Sequence, residues 1–248
     1  MLIKITQKCS MGCTHCMNNA LPTGKHMDFD TFVKAIDFQK KHNIPFCIIS
    51  GGEPTEHPEF EKFLKYALQE LPGTYITVTT NGVWLQKYES LIKDINDYYK
   101  DMVLFQVTSV PEYYPTKIDL SLPVFSIPNI VICREIESMY PQGRALDNNY
   151  PWTCKASRCT NIRLMAHQLG FTGVSGVLLT MAMKGFFCTP HINIDGSIIL
   201  GESDLCPKCS HIDKTDEEIL DDILSFQCHS CDFINKKLPI EAKRILGV

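Results

Sequence analysis

Short runs of β-branched and aromatic residues alternate along this chain with longer segments of helical periodicity. The strand candidates are residues 2–7, 46–50, 75–80, 103–109 and 129–133, with a sixth near residues 174–179. Between them, apolar residues recur at three- and four-residue spacing over residues 30–42 and 59–71, and more weakly over 84–98. This alternation is typical of βα units around a parallel sheet. We therefore predict an α/β fold, a partial, TIM-like (β/α)6 barrel.

Length and composition allow this barrel and a small extension. The chain has 248 residues, of which 44% are hydrophobic, and this is enough to bury a full core. Cysteines concentrate in the last part of the sequence. We expect the barrel to span residues 1–183 and a small Cys-rich C-terminal extension to span residues 184–248.

Three cysteines, Cys9, Cys13 and Cys16, follow the first strand candidate at Cys-x3-Cys-x2-Cys spacing. Soft thiolates suit iron–sulfur clusters, and a tight loop keeps all three within reach of one [4Fe-4S] cluster. The fourth iron then has no protein ligand. This arrangement predicts an enzyme that binds a molecule at the open iron, although structural cysteines and zinc knuckles also cluster.

A second motif, Gly51-Gly52-Glu53-Pro54, ends the second strand candidate. Glycines at this position leave backbone groups accessible to a ligand, and Glu53 can accept a hydrogen bond from a cation. The alternative is an ordinary glycine turn followed by a solvated glutamate at a helix start. In a parallel sheet both motifs fall at the carboxyl ends of strands, where barrels of this type place their reactive residues.

The two motifs, in this order, resemble the signature of radical S-adenosylmethionine (SAM) enzymes. The resemblance covers roughly residues 1–180 and is strongest over the first 82. It implies that the methionyl group of SAM chelates the open iron and that Gly51, Gly52 and Glu53 bind the SAM amino group. It also implies that the reduced cluster cleaves SAM to a 5′-deoxyadenosyl radical, which abstracts a hydrogen atom from the substrate.

Three further positions are candidate SAM contacts by the same resemblance. Asn81 follows the third strand candidate, where the family often has a Thr-Asn-Gly segment facing the cavity, although Asn-Gly is also a good turn. Ser109 ends the fourth strand candidate and could bond the carboxylate or ribose of SAM, or be a surface serine. Arg144 could clamp the SAM carboxylate, or be an exposed loop arginine. We expect His15 to pack beside the cluster or SAM.

The C-terminal cysteines support two interpretations. The pairs Cys206-x2-Cys209 and Cys228-x2-Cys231 have the spacing of a structural zinc knuckle. Alternatively, Cys188 and Cys206 flank a hairpin that turns at residues 193–196, which resembles the shortened SPASM domain called a twitch domain. That resemblance implies an auxiliary [4Fe-4S] cluster bound by Cys188, Cys206, Cys228 and Cys231. Cys209 is left over, which puts the ligand set in doubt.

Charge and cysteine usage narrow the cellular context. The formal net charge is −4 and no basic run stands out, so a nucleic-acid partner is not favoured. No apolar run approaches the length of a membrane span, and no signal peptide is evident. We therefore expect a cytoplasmic protein whose cysteines serve metal or clusters rather than disulfides. Cys154 and Cys159 are expected to be structural or bystander thiols.

These features together predict an oxidoreductase-type radical SAM enzyme. An auxiliary cluster would take up the electron left on the substrate, which makes the net reaction an oxidation or an oxidative cross-link, with a ribosomal peptide as the favoured substrate. The alternatives are dehydrogenation of a small carbohydrate-like molecule, activation of a partner enzyme, and a non-enzymatic iron–sulfur or zinc binding module. The enzyme would need an external one-electron reductant such as flavodoxin or ferredoxin.

Overall fold

The computed structural model describes residues 1–135, 142–150, 173–183, 190–201 and 203–226. The strands are β1 (Leu2–Thr6), β2 (Phe46–Gly51), β3 (Tyr75–Thr80), β4 (Val103–Thr108), β5 (Ile130–Cys133), β6 (Pro190–Ile192), β7 (Ser197–Leu200) and β8 (Lys208–His211). The α-helices are α1 (Phe29–Lys41), α2 (Phe60–Glu70), α3 (Glu89–Tyr99), α4 (Gly143–Asp147), α5 (Gly173–Met183) and α6 (Asp216–Ser225).

All of these strands belong to one sheet, in the order β5-β4-β3-β2-β1-β6-β7-β8. Strands β1 to β5 pair in parallel, and β6 extends the parallel part along the other edge of β1. Strands β7 and β8 are antiparallel additions. The sheet confirms the predicted α/β fold, and as an open, mostly parallel sheet it is compatible with a partial barrel.

The sixth predicted strand is wrong, because residues 174–179 lie inside helix α5. Val174, Val177 and Leu178 are buried, and their spacing of three and one residues places them on one side of a helix. An apolar run of this length does not distinguish a buried strand from a buried helix. The parallel neighbour on the free edge of β1 is β6 instead.

The two faces of the parallel sheet differ in polarity. On one face, a core of strand side chains packs with the aromatic residues of α1 and α2: Ile3, Ile5, Ile49, Val78, Phe105, Phe32, Phe60 and Phe63, all fully buried. The strand residues between them point the other way, since side chains alternate across a strand. We call this second side the inner face, and it carries many polar residues.

Helix boundaries follow local capping signals. Asp28 caps α1, where its side chain accepts a hydrogen bond from the Thr31 backbone N–H at 2.7 Å. Thr215 and Glu218 form a reciprocal capping box at the start of α6. The weakly periodic segment before β4 divides into a 3₁₀ turn, Leu85–Tyr88, and helix α3. No helix among the described residues is both long and apolar enough to cross a bilayer.

The C-terminal hairpin forms as predicted between β6 and β7, with Ile192 opposite Ile198. Gly196 closes the turn with a φ of +80°, a conformation that favours glycine. Because β6 pairs directly with β1, the hairpin continues the sheet of the parallel strands. The boundary at residue 183 stays a prediction.

A buried ion pair joins β1 to the segment after β7. Lys4 Nζ lies 2.7 Å from Asp204 Oδ1, and the two side chains are 3% and 7% exposed. Asn18, in the loop after β1, accepts hydrogen bonds from Lys4 Nζ at 3.1 Å and from the Asp204 backbone N–H at 3.2 Å. His191 of β6 lies beside the pair, with Nε2 3.6 Å from Asp204 Oδ1. The C-terminal segment is thereby attached to the first strand and its loop.

Candidate functional site

A cavity of about 250 Å³ lies at the carboxyl ends of β1 to β4. All three cysteines of the N-terminal motif line it, together with Gly51, Gly52, Glu53, Asn81, Thr108 and Tyr114. A cleft of about 490 Å³ lies at the opposite end of β4, and no cysteine is among its lining residues. Reactive residues of parallel βα folds lie at the carboxyl ends of the strands. We therefore place the candidate site in the smaller cavity.

The cysteine loop folds back on itself directly after β1. The Cys9 backbone N–H donates to Leu21 O at 3.0 Å, and the Cys16 N–H donates to Cys13 O at 3.3 Å. Gly12 turns the loop with a φ of +68°, which a residue without a Cβ adopts at little cost. The loop thus brings all three sulfurs to one cavity.

The three thiols suit a cluster that binds each cysteine through a different iron. Burial raises the pKa of Cys9 to about 11 and that of Cys13 to about 12. Without metal, the thiols of Cys9 and Cys13 are therefore protonated at neutral pH, and iron binding must release those two protons. Among the described residues, no three His, Cys, Asp or Glu side chains converge on one point as a single ion would require. A [4Fe-4S] cluster does not need such convergence, since each thiolate binds its own iron.

Gly51 and Gly52 allow the end of β2 to lie directly against the end of β1. The Gly52 N–H donates to Thr6 O, and the Glu53 N–H donates to Lys8 O, both at 2.7 Å. A Cβ on Gly51 would lie 2.3 Å from Thr6 O, and one on Gly52 would lie 2.4 Å from Lys8 O. The glycines are therefore required by the close approach of two backbones. Both line the cavity, but the Gly52 N–H already has a partner within the protein.

Glu53 connects the ends of β2 and β3. Its side chain is 1% exposed, and its carboxylate accepts hydrogen bonds from Thr55 N–H (3.1 Å), Thr55 Oγ1 (2.5 Å), Thr80 Oγ1 (2.6 Å) and Asn81 N–H (2.7 Å). Burial raises the pKa of Glu53, and these donors only partly offset that effect. Glu53 lines the cavity, and it also fixes the positions of Thr80 and Asn81.

We expect Glu53→Gln to destabilise the fold by about 1–3 kcal/mol, because an amide nitrogen cannot accept the bonds that one carboxylate oxygen accepts. Urea unfolding of the two proteins measures the difference. Glu61→Gln is the matched control, since the Glu61 side chain is 52% exposed and pairs only with Lys65 on the same helix. That change should cost under about 0.5 kcal/mol. Equal losses in the two variants would contradict the structural role of Glu53.

Asn81 lies beside the cysteine loop. Its Nδ2 is 4.0 Å from Cys9 Sγ, and its Oδ1 accepts a hydrogen bond from the Val83 backbone N–H at 3.0 Å. Ser109, in contrast, is not among the residues that line the cavity. Thr108, one position earlier, does line the cavity. Strand alternation explains the difference, since Thr108 belongs to the inner face and Ser109 follows the strand end.

Arg144 and its neighbours support the cysteine loop from outside the parallel strands. Arg144 Nε donates to Cys13 O at 2.8 Å, and its Nη1 donates to Ala20 O at 3.1 Å. A Cβ on Gly143 would lie 2.8 Å from Cys16 O, so α4 begins in direct contact with the loop. Arg144 is thus not a free surface arginine, and its observed partners are backbone carbonyls of the loop.

A cluster of aromatic side chains borders the site, and its tyrosines belong to none of the sequence motifs. His15 lies between Tyr113 and Tyr114, with ring centroids 5.3 and 5.1 Å away, and Tyr150 lies at 6.2 Å. Tyr114 faces the cavity, and burial raises the pKa of its phenol. The available signal was the Tyr-Tyr pair shortly after β4, at a strand end like those of the two motifs.

The structure describes only part of the predicted C-terminal ligand set. Cys206 is 7% exposed, and Gln142 Nε2 lies 3.3 Å from its sulfur. A Cβ on Gly201 would lie 2.3 Å from the same sulfur, so this glycine leaves room for it. Cys209 lies in β8 and packs against the main core. The other three predicted ligands, Cys188, Cys228 and Cys231, lie outside the described residues, as do Cys154 and Cys159.

A family model matches the first part of the chain. Residues 3–121 match the model of the radical SAM superfamily, which is just under half of the sequence. The matched segment contains the cysteine loop, the Gly-Gly-Glu turn and the strand ends β1 to β4. The match confirms over this segment the resemblance seen in the motifs, and the superfamily implies a [4Fe-4S] cluster and SAM.

The curated relatives match over a short part of their own length. A probable GTP 3′,8-cyclase of Methanococcus maripaludis is 31% identical over 94 residues, which is 37% of this chain and 31% of that protein. A PqqA peptide cyclase of Ruegeria pomeroyi is 29% identical over 87 residues, which is 34% of this chain and 23% of that protein. The chain therefore spans less than a third of either relative.

Solved structures match over almost the whole chain. BtrN, in complex with AdoMet and 2-DOIA, has a TM-score of 0.57 at 14% identity and covers 96% of this chain and 85% of its own. Streptococcus suis SuiB, bound to the precursor peptide SuiA, has a TM-score of 0.57 at 14% identity and covers 95% and 72%. At such low identity these likenesses show a shared fold.

Proposed function

We propose that this chain is a radical SAM enzyme that abstracts a hydrogen atom from its substrate. Cys9, Cys13 and Cys16 would hold what we call the N-terminal cluster, a [4Fe-4S] cluster with one open iron, and SAM would bind in the adjoining cavity. The observation that carries this proposal is the convergence of the three cysteines with the Gly-Gly-Glu turn on one cavity at the strand ends.

A bound cluster would supply the electron that cleaves SAM into methionine and a 5′-deoxyadenosyl radical. The residues of this chain hold the site in shape. Arg144 fixes the carbonyl of Cys13, and Glu53 fixes the backbone of Asn81. The Asn81 amide nitrogen is close enough to Cys9 Sγ to donate a weak hydrogen bond to that thiolate. The polar inner face would hold a substrate C–H bond within reach of the radical and away from solvent.

The C-terminal region would bind a second, auxiliary [4Fe-4S] cluster through Cys188, Cys206, Cys228 and Cys231. After hydrogen abstraction, the hydrogen atom ends on 5′-deoxyadenosine and the substrate holds an unpaired electron. A cluster held by these cysteines would accept that electron, and with the loss of one proton the net reaction would be a two-electron oxidation of the substrate. The position of Cys206 supports this role. Gln142 Nε2 lies 3.3 Å from the Cys206 sulfur, and the next residue, Gly143, packs against the cysteine loop. A structural zinc site is the alternative.

The substrate is either a peptide or a small molecule, and an external one-electron reductant such as flavodoxin or ferredoxin would reduce the N-terminal cluster. Solved structures with this fold contain both kinds of ligand: the precursor peptide SuiA in SuiB and 2-DOIA in BtrN. Peptide maturation is favoured by the C-terminal cysteines and by the segment Gly143-Arg144-Ala145, which resembles a Gly-Arg-Ala segment frequent in radical SAM proteins with cluster-bearing C-terminal regions.

Anaerobic reconstitution with iron and sulfide tests the proposal. We expect about eight irons per chain, and 5′-deoxyadenosine after addition of dithionite and SAM. About four irons and one zinc would retain the enzyme and make the C-terminal site structural. Iron-loaded protein that forms no 5′-deoxyadenosine would overturn the proposal in favour of a binding module. A Cys206→Ala variant should lose about four irons and keep SAM cleavage.

A further inference from the structure

A row of polar side chains crosses the inner face of the sheet, one from each of four adjacent strands. Lys4 of β1 is in register with Ser50 of β2, and Thr79 of β3 is in register with Gln106 of β4. Ser50 is beside Thr79, because the preceding residues Ile49 and Val78 are paired. Neighbouring strands lie about 4.8 Å apart, so the row is about 14 Å long. We call these four residues the polar row.

Three members of the polar row have unused hydrogen-bonding capacity. Ser50, Thr79 and Gln106 are half-buried, and none of their side chains makes a hydrogen bond to another described residue. Ser50 and Thr79 line the same cavity as the three cysteines. A ligand that displaces water from half-buried polar groups must replace the hydrogen bonds that the water made. On the helix-facing side, the strands carry aliphatic residues such as Val78. The polar side chains of Ser50, Thr79 and Gln106 on the inner face are suited to a polar ligand instead.

The layer of residues below the polar row is mostly apolar. Leu2, Ile48, Thr77 and Leu104 are paired in sequence across the same four strands. Three of these four side chains are aliphatic. The polar groups of the inner face are therefore concentrated in the layer nearest the cysteine loop, with Thr108 above it. Because Ser50 and Thr79 line the candidate SAM cavity, a ligand bound to the row would lie on the apolar layer, at the floor of that cavity.

The polar row offers no free positive charge to an anionic ligand. Lys4 is its single ionisable member, and the ammonium group is already paired with Asp204 at 2.7 Å and bonded to Asn18 at 3.1 Å. The row therefore offers a phosphate or carboxylate no unpaired cation. It offers two hydroxyls and one carboxamide, which together donate and accept hydrogen bonds and complement the hydroxyl groups of a neutral molecule.

We propose that Ser50, Thr79 and Gln106 bind the hydroxyl groups of a neutral, carbohydrate-like substrate. This inference rests on the proposed radical SAM function and assigns its substrate class. A ring with several hydroxyls can bond all three side chains at once, since it bridges neighbouring strands. Hydrogen bonds from the row would then hold one C–H bond of the ring toward the cavity in which SAM would be cleaved.

Ligand-observed NMR on the reconstituted enzyme tests this site. The probes are myo-inositol, D-glucose and N-acetyl-D-glucosamine as neutral polyols, GTP as an anion, and a synthetic decapeptide. At about 10 mM, a polyol with a Kd near 1 mM gives a clear signal. We expect polyol binding, and roughly three- to tenfold weaker binding in each of Thr79→Val and Gln106→Met. Thr116→Val and Gln69→Met, both at exposed positions, are matched controls and should bind polyols like the wild type.

Three results would overturn the inference: no polyol bound at that concentration, GTP or the peptide bound in place of the polyols, or polyol binding unchanged in both inner-face variants. The formation of 5′-deoxyadenosine without added substrate is measured on the same samples. If 5′-deoxyadenosine forms and a result of this kind is obtained, the substrate class is wrong and the radical SAM function stands. If iron-loaded wild type forms none, the proposed function itself fails, and the inference with it.

Discussion

The Cys13→Ala variant is expected to keep its fold and to lose both the N-terminal cluster and SAM cleavage. Cys13 lies in a loop outside the main core and packs with Cys9, Met11 and Ala20, so the loss of its sulfur leaves the sheet intact. Two remaining thiolates leave two irons of the cluster without protein ligands. The measured iron content should fall by about four per chain, and 5′-deoxyadenosine should fall to background.

Cys47→Ala provides the matched control for this experiment. Cys47 is fully buried in β2, within the main core that packs on the helices. Its removal leaves a small cavity but takes away no candidate ligand, so iron content and 5′-deoxyadenosine should match the wild type. SAM cleavage that persists in Cys13→Ala, or is lost equally in Cys47→Ala, would contradict the assignment of the N-terminal cluster.

The second large effect concerns the buried ion pair of Lys4 and Asp204. An Asp204→Asn variant leaves the Lys4 ammonium 3% exposed and without its countercharge. Removal of one partner of a buried pair typically costs about 3–5 kcal/mol. We expect a loss of this size in the free energy of unfolding, measured by urea denaturation with circular dichroism.

Two further variants separate the charge effect from general disruption. Asp213→Asn breaks an exposed ion pair with Lys34, in which the side chains are 57% (Lys34) and 53% (Asp213) exposed. The loss in the free energy of unfolding should therefore stay below about 1 kcal/mol. The double variant Lys4→Met/Asp204→Leu removes both charges and should recover most of the stability lost in Asp204→Asn. A double variant as unstable as the single one would show that the uncompensated charge is not the cause.

The parallel strands could be predicted because their patterns are local. Runs rich in β-branched residues define β1 to β4 to within a residue or two, and glycine, asparagine or serine marks the ends of β2, β3 and β4. The error at residues 174–179 arose because an apolar run lacks period information when all sides of an element are buried. The partner of β1 could not be predicted at all, since pairing with β6 joins segments almost two hundred residues apart.

At the site, residue type was predictable and the partners were not. The spacing of the three cysteines and the position of the Gly-Gly-Glu turn indicated one cavity, and the structure places them around one. The sequence does not show that Glu53 accepts four hydrogen bonds, because these contacts depend on how the ends of β2 and β3 meet. Ser109 lies one position beyond Thr108, just past the end of β4, and it does not line the cavity that Thr108 lines. Arg144 reaches the loop because α4 packs there, and no local pattern encodes that contact.

The pairing of β1 with β6 bears on how the protein is made. About 190 residues separate the two strands along the chain, and synthesis proceeds at roughly 5–20 residues per second. One edge of β1 therefore stays open for about 10–40 s after it leaves the ribosome. An open strand edge is a template for pairing with other chains. During that interval Lys4 also lacks Asp204, and its unpaired charge disfavours dry contact with another strand until the correct segment arrives.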